Sequence, residues 1–168
     1  MLIDLLTEYI ELKFEELNLN LDNTIKLNRI VSDMDIQNIA DNEKYLNYQI
    51  YLESVKSNEH EFEGLDNVTL RIDFFFLTAN KNYETYRNMF DRYVWNFRRL
   101  LKTQQTPVTV FNDSNISYGI NINDILNVNI VNADLFDNDI YKPSINLELL
   151  ITDFHNENNS QATLNINV

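Results

Sequence analysis

The sequence predicts an α+β domain: a mostly antiparallel sheet with a long central helix and an N-terminal helix packed on it, in the order α-β-β-β-α-β-β. Three observations carry this. Two long stretches repeat apolar side chains every three to four residues. Several shorter stretches alternate apolar and polar side chains, the period of a strand with one covered face. The strands fall into runs separated by one helix, as in a sheet with helices on one side.

The first helix is expected from Leu2 to Leu17. Leu2, Leu5, Leu6, Tyr9, Ile10 and Phe14 form one stripe, and Glu8, Glu11, Glu15 and Glu16 take the other side. Its acidic last turn opposes the helix dipole. A short strand is expected around Thr24 to Val31, with Ile25 and Leu27 alternating. The polar connection SDMDIQNIADNEK follows. Then YLNYQIYLESV alternates, with Leu46, Tyr48, Ile50 and Leu52 on one face. Residues 56–67, KSNEHEFEGLDN, read as the turn of a hairpin, with Gly64 at the tight point. The returning strand puts Val68, Leu70, Ile72, Phe74 and Phe76 on its core face. Its second face starts polar, with Thr69, Arg71 and Asp73, and ends apolar, with Phe75 and Leu77.

The second helix is expected from Asn82 to Lys102. Tyr83, Tyr86, Phe90, Tyr93, Val94, Phe97, Leu100 and Leu101 share a stripe at about 100° per residue. Asn80 or Asn82 suits its N-cap, and Arg98, Arg99 and Lys102 suit its C-terminal dipole. Pro107 leads into the short strand VTVF. The stretch NDSNISYGININD reads as a polar loop. Two strands follow, ILNVNIV and SINLELLITDF, joined by the turn-rich NADLFDNDIYKP. Residues 1–155 are read as one domain and 156–168 as a polar, flexible tail.

Composition narrows function mainly by exclusion. The chain has 168 residues, 44% apolar and 23% charged, with no cysteine and a net charge of −13. Disulfides, thiolate nucleophiles, zinc–cysteine sites and iron–sulfur clusters are excluded. So strong a negative balance is unsuited to holding nucleic acid, where affinity comes from cations meeting phosphates. It argues equally against an anionic membrane surface. Nothing resembles a signal peptide, and no apolar run reaches the roughly 18 residues of a membrane span. Six of the thirteen cations lie between Lys81 and Lys102.

No catalytic residue, cofactor site or metal site is expected. His60, among Glu59, Glu61 and Glu63, reads as a solvated acidic tip, and His155 lies by the tail. DLFDND lacks the register and distal glutamate of an EF-hand. Two glycines cannot build a phosphate-cradling loop, and no serine sits in a nucleophile elbow.

Two apolar features stand where a polar face is expected. Trp95 lies on the polar side of the second helix, among Arg92 and Arg99. It is either an interface anchor, since tryptophan and arginine are enriched at hot spots, or covered by the first helix or a loop. Phe75 and Leu77 pose the same choice, between a cover from the first helix and one from a neighbouring subunit. These five residues are the candidate subunit interface.

The set LLTEYIELKF, YLNYQIYLESV with VTLRIDFFFLT, NYETYRNMFDRYVWNFRRLL and the pair ILNVNIV and SINLELLITDF resembles the tail-terminator and neck-ring proteins of tailed bacteriophages. The match is one of element order, not of signature residues. The resemblance implies a non-enzymatic virion protein, made in the host cytoplasm and placed at the head–tail junction. It implies a homo-oligomeric ring of roughly six or twelve copies, touching portal, connector or tail-tube proteins. DNA would pass through without specific binding, past a negative wall. The acidic loop of Glu59, Glu61, Glu63 and Asp66 would face the channel or a partner. The alternative is an acidic binding module that sequesters a basic partner or mimics DNA. An enzyme ranks third, because no pocket-forming motif announces one.

Overall fold

The computed structural model describes residues 2–20, 26–31, 45–57, 65–77, 83–104, 108–111, 118–131, 135–136 and 140–155. Helix α1 (Leu2–Asn20) is followed by β1 (Lys26–Arg29), β2 (Tyr45–Ser57) and β3 (Leu65–Leu77). Helix α2 (Tyr83–Lys102) precedes β4 (Val108–Phe111), β5 (Tyr118–Val131), β6 (Leu135–Phe136), β7 (Ile140–Tyr141) and β8 (Ser144–His155). The sheet runs β1-β2-β3-β8-β5-β4, and the β6–β7 hairpin joins it through β3.

The expected mostly antiparallel α-β-β-β-α-β-β sandwich with a long central helix is not what forms. The described chain is mostly strand, in a curled, mixed sheet shaped as a half-barrel and carrying two helices. The helices are nearly equal, at 19 and 20 residues, because α1 runs on past Leu17 to Asn20. Strand β1 lies parallel to β2, pairing Lys26–Arg29 with Tyr45–Tyr48. A parallel neighbour needs a connection of about a dozen residues or more, and the long polar stretch before Tyr45 supplies it.

Five described strands follow α2, where two or three were expected, VTVF, ILNVNIV and SINLELLITDF among them. The expected polar loop before Ile125 is largely strand, because Ile120 and Ile122 alternate with Asn121 and Asn123 and bury completely. Bulges between Ile122 and Asp124 and between Ile125 and Asn127 break that alternation and hide it from a period-two reading. The link before Pro143 contains the β6–β7 hairpin, whose Tyr141 and Ile140 pair with Phe76 and Leu77.

Both helices lie over the same face of the sheet. The α1 stripe buries Leu5, Leu6, Tyr9, Ile10, Phe14 and Leu17. The α2 stripe buries Tyr86, Phe90, Tyr93, Val94, Phe97 and Leu101. They meet Leu70, Ile72, Phe74, Leu147 and Leu149 in one core. Phe14 stands at its centre, with ring centroids 4.8 Å from Phe97 and 5.3 Å from Tyr48. Two polar clasps hold the layers. The Tyr48 hydroxyl donates to Glu11 Oε1 at 2.6 Å. The Tyr9 hydroxyl donates to Gln104 Oε1 at 2.7 Å, and Gln104 Nε2 donates to the Ile122 carbonyl at 3.3 Å.

Gly64, His60, Asn80, Asn82, Pro107 and the tail 156–168 lie outside the described residues.

Candidate interface on the outer face of the second helix

The 3.6-residue period that buries one side of α2 leaves the other in solvent. Trp95 is 61% exposed there, and neither α1 nor a described loop covers it. Arg92 lies three residues before it and Arg99 four after, on the same helix face. The Arg98 guanidinium sits 5.5 Å from the indole centroid, a cation–π contact that holds the ring against the helix.

Beside the indole opens a groove of about 610 Å³, lined by Trp95, Asn96, Arg98, Arg99, Lys102 and Thr103. A second hollow of about 260 Å³ shares Asn96, Arg99 and Thr103 and reaches Leu17 and Asn20 at the end of α1. The two make one trough across the C-terminal ends of both helices. Its walls are fixed by local bonds: Asn96 Nδ2 donates to the Arg92 carbonyl and Thr103 Oγ1 to the Leu100 carbonyl, each at 2.7 Å. Among the described residues, three cations line the trough and no carboxylate does. It is built for an acidic or carbonyl-rich surface that also covers an indole.

The other candidates are scattered. Phe75 is 3% exposed. It forms a small second cluster with Ile30, Leu77 and Ile140, on the sheet face away from the helices. The Lys142 ammonium lies 5.2 Å from its ring centroid and pairs with the buried Asp73 at 3.0 Å. The cover comes from the end of β1 and from β7, not from α1 and not from a neighbouring subunit, so Phe75 offers no outward apolar surface. Half-buried Leu77 shares that cluster. Asp66 is not in a loop: it sits in β3, paired with Ser57 and Ile151. Glu59, Glu61 and Glu63 lie outside the described residues.

Sequence reasoning found Trp95, Arg92 and Arg99 from the helical wheel. It missed Arg98 as the indole's partner and the contribution of α1 to the trough. Arg98 lies three residues after Trp95, a spacing that makes the two neighbours on the helix surface, so the wheel already carried this signal.

Among the described residues no group of His, Asp or Glu side chains could hold a metal ion, and no described helix is long and apolar enough to cross a membrane. No protein-family model matches the chain, and a search of curated proteins finds no match.

Proposed function

We propose that this chain is a structural, non-enzymatic subunit that assembles with copies of itself into a ring, and that the ring surrounds the DNA channel at the head–tail junction of a tailed bacteriophage. The observation that carries the reading is the exposed Trp95 in a cationic trough on an acidic chain. Helix α2 holds five cations and two carboxylates, a balance of +3, which leaves −16 for the rest of the chain's −13. A patch of one sign on a body of the other is complementary to other copies of the same molecule. Contact between two different surfaces of identical subunits is head to tail, and such a contact closes into a ring when its rotation closes. The negative remainder supports a channel role, since it repels phosphates and lets DNA pass without sticking.

Light scattering after size exclusion tests this. The purified protein is expected as one discrete assembly with an open centre by negative stain. Trp95→Ala is expected to raise the dissociation constant about thirtyfold, the loss of a hot-spot anchor worth about 2 kcal/mol. The variant's melting temperature should hardly move, because an exposed indole contributes little to the fold. Unchanged assembly in Trp95→Ala would remove α2 from the interface.

A further inference from the structure

Among the described residues, each margin of the sheet is paired over only part of its length. Strand β1 pairs with Tyr45–Tyr48 of β2, and no described strand pairs with the outer side of β2 beyond them. Strand β4 pairs with Gly119–Ile122 of β5, and no described strand pairs with the outer side of β5 beyond those. The two open stretches stand at opposite margins but at the same height. The registers run in rows across the sheet: Ile50–Ile72–Ile145–Ile130, then Leu52–Leu70–Leu147–Val128, then Val55–Val68–Leu149–Ile125, then Lys56–Asn67–Leu150–Asp124.

The short covering strands stand at opposite ends of these rows. Strand β1 lies beyond the Gln49 row, where β5 has ended at Val131. Strand β4 starts at the Ser57 row, where β2 ends. The margins therefore have the stepped outline of a lap joint, each cut away where the other projects. Three antiparallel pairings separate β2 from β5, so the two run in opposite directions and meet as an antiparallel pair.

We propose that copies of this chain join margin to margin, the open stretch of β2 in one copy pairing with the open stretch of β5 in the next. This deepens the ring reading above and rests on it, though not on Trp95. Side chains as well as outline favour a second copy as the occupant. The row interiors are sealed, with Leu70, Leu147, Val68 and Leu149 at 0% exposure, yet the β2 ends, Leu52 and Val55, are exposed at 37% and 43%. In the joint Leu52 continues its row onto Val128 of the next copy, and Val55 onto Ile125 of the next copy. Lys56 falls opposite Asp124 of the next copy, a charge pair across the seam. Exposed Leu126 and Val131 mark the β5 margin. An edge that no described strand pairs with is a template for another strand, and here the matching strand is on the same chain. The curl of the sheet turns each copy relative to the last, which favours closure over an open filament.

The test uses the full chain in light scattering and sedimentation. Val55→Lys blocks the β2 margin and Leu126→Lys the β5 margin, both at exposed positions. Each variant is expected to weaken assembly about tenfold or more, because a lysine must be desolvated in the seam. Mixed together they should form a 1:1 dimer and nothing larger, since each retains one intact margin. Lys56→Asp and Asp124→Lys should each weaken assembly, and the double variant should restore it. This pair keeps the proposal testable if a lysine in a strand impairs folding, which circular dichroism would report. Assembly unchanged in both lysine variants, or a mixture that stays monomeric, overturns the joint while leaving a Trp95-dependent ring standing. A wild-type chain that stays monomeric at about 100 µM, well above an ordinary assembly constant, overturns the joint and the ring reading together.

Discussion

Three buried tyrosines give the chain a defined alkaline limit. Burial pushes the phenols of Tyr9, Tyr48 and Tyr93 well above their ordinary value of 10.0, and for Tyr48 the hydrogen bond donated to Glu11 adds to the rise. Below pH 10 all three are neutral in the folded and unfolded chain alike, and their stabilisation is constant. Above it the unfolded chain loses these protons while the folded chain keeps them, so stability falls as pH rises. Each such tyrosine steepens the fall by about 1.4 kcal/mol per pH unit. Tyr93 separates this effect from hydrogen bonding, because its buried hydroxyl has no hydrogen-bond partner among the described residues. Tyr93→Phe is expected to raise stability at neutral pH by about 1 kcal/mol, by removing a desolvated donor. It should also make the decline above pH 10 shallower. Urea unfolding at pH 7 and at pH 11 checks both parts, and a variant that is less stable at pH 7 would show that the hydroxyl has a partner.

At the scale of elements, the junction of α1, α2 and the sheet is a stack of rings around Phe14. Its centroid lies within 6.1 Å of those of Tyr48, Phe74, Tyr93 and Phe97. Phe14→Ala is expected to cost about 3–5 kcal/mol, the range for deleting a buried phenylalanine that neighbours cannot collapse onto. Leu12→Ala, at a side chain 50% exposed on the same helix, should change stability by less than about 0.5 kcal/mol. Denaturant unfolding of the two variants distinguishes a packed α1 from one that merely lies on the surface. The helices were legible because one sided burial forces a 3.6-residue stripe, and Phe14, Phe90 and Phe97 stand in it. The core faces of β2, β3 and β8 were legible for the same reason at period two. Strand β5 was legible only in its second half, ILNVNIV; its first half read as loop, because asparagines alternate there with the isoleucines and the bulges shift the phase. The parallel placing of β1 and the cover over Phe75 were not legible either. Both depend on partners distant in sequence, Tyr45–Tyr48 for the one, Ile30 and Ile140 for the other, and local pattern carries no record of them.

Over the whole molecule, charge is segregated, and that segregation decides how assembly should respond to salt. In the assembly proposed above, the cations of α2 meet the acidic remainder of another copy, whereas the margins of the sheet join mainly through backbone bonds and aliphatic side chains, with Lys56 and Asp124 as the charged contact. Ionic screening acts mainly on the first contact and, in the second, only on the Lys56–Asp124 pair. The Debye length is about 10 Å at 0.1 M salt and about 3 Å at 1 M, so an exposed guanidinium keeps little of its reach at the higher value. Arg99, which lines both hollows of the trough, is the residue to reverse. Arg99→Glu is expected to weaken assembly strongly at about 0.05 M salt and only slightly at about 1 M. Sedimentation equilibrium of wild type and variant at both salts measures the difference. If the gap between them closes as salt rises, Arg99 acts through charge and the acidic body of a neighbour is what it meets. If the gap is the same at both, Arg99 acts by packing, and the cationic trough is not what selects a copy of this chain. Assembly that survives high salt in both proteins is then the property of the sheet margins, where Leu52 and Val55 wait at the ends of rows whose interiors are already sealed.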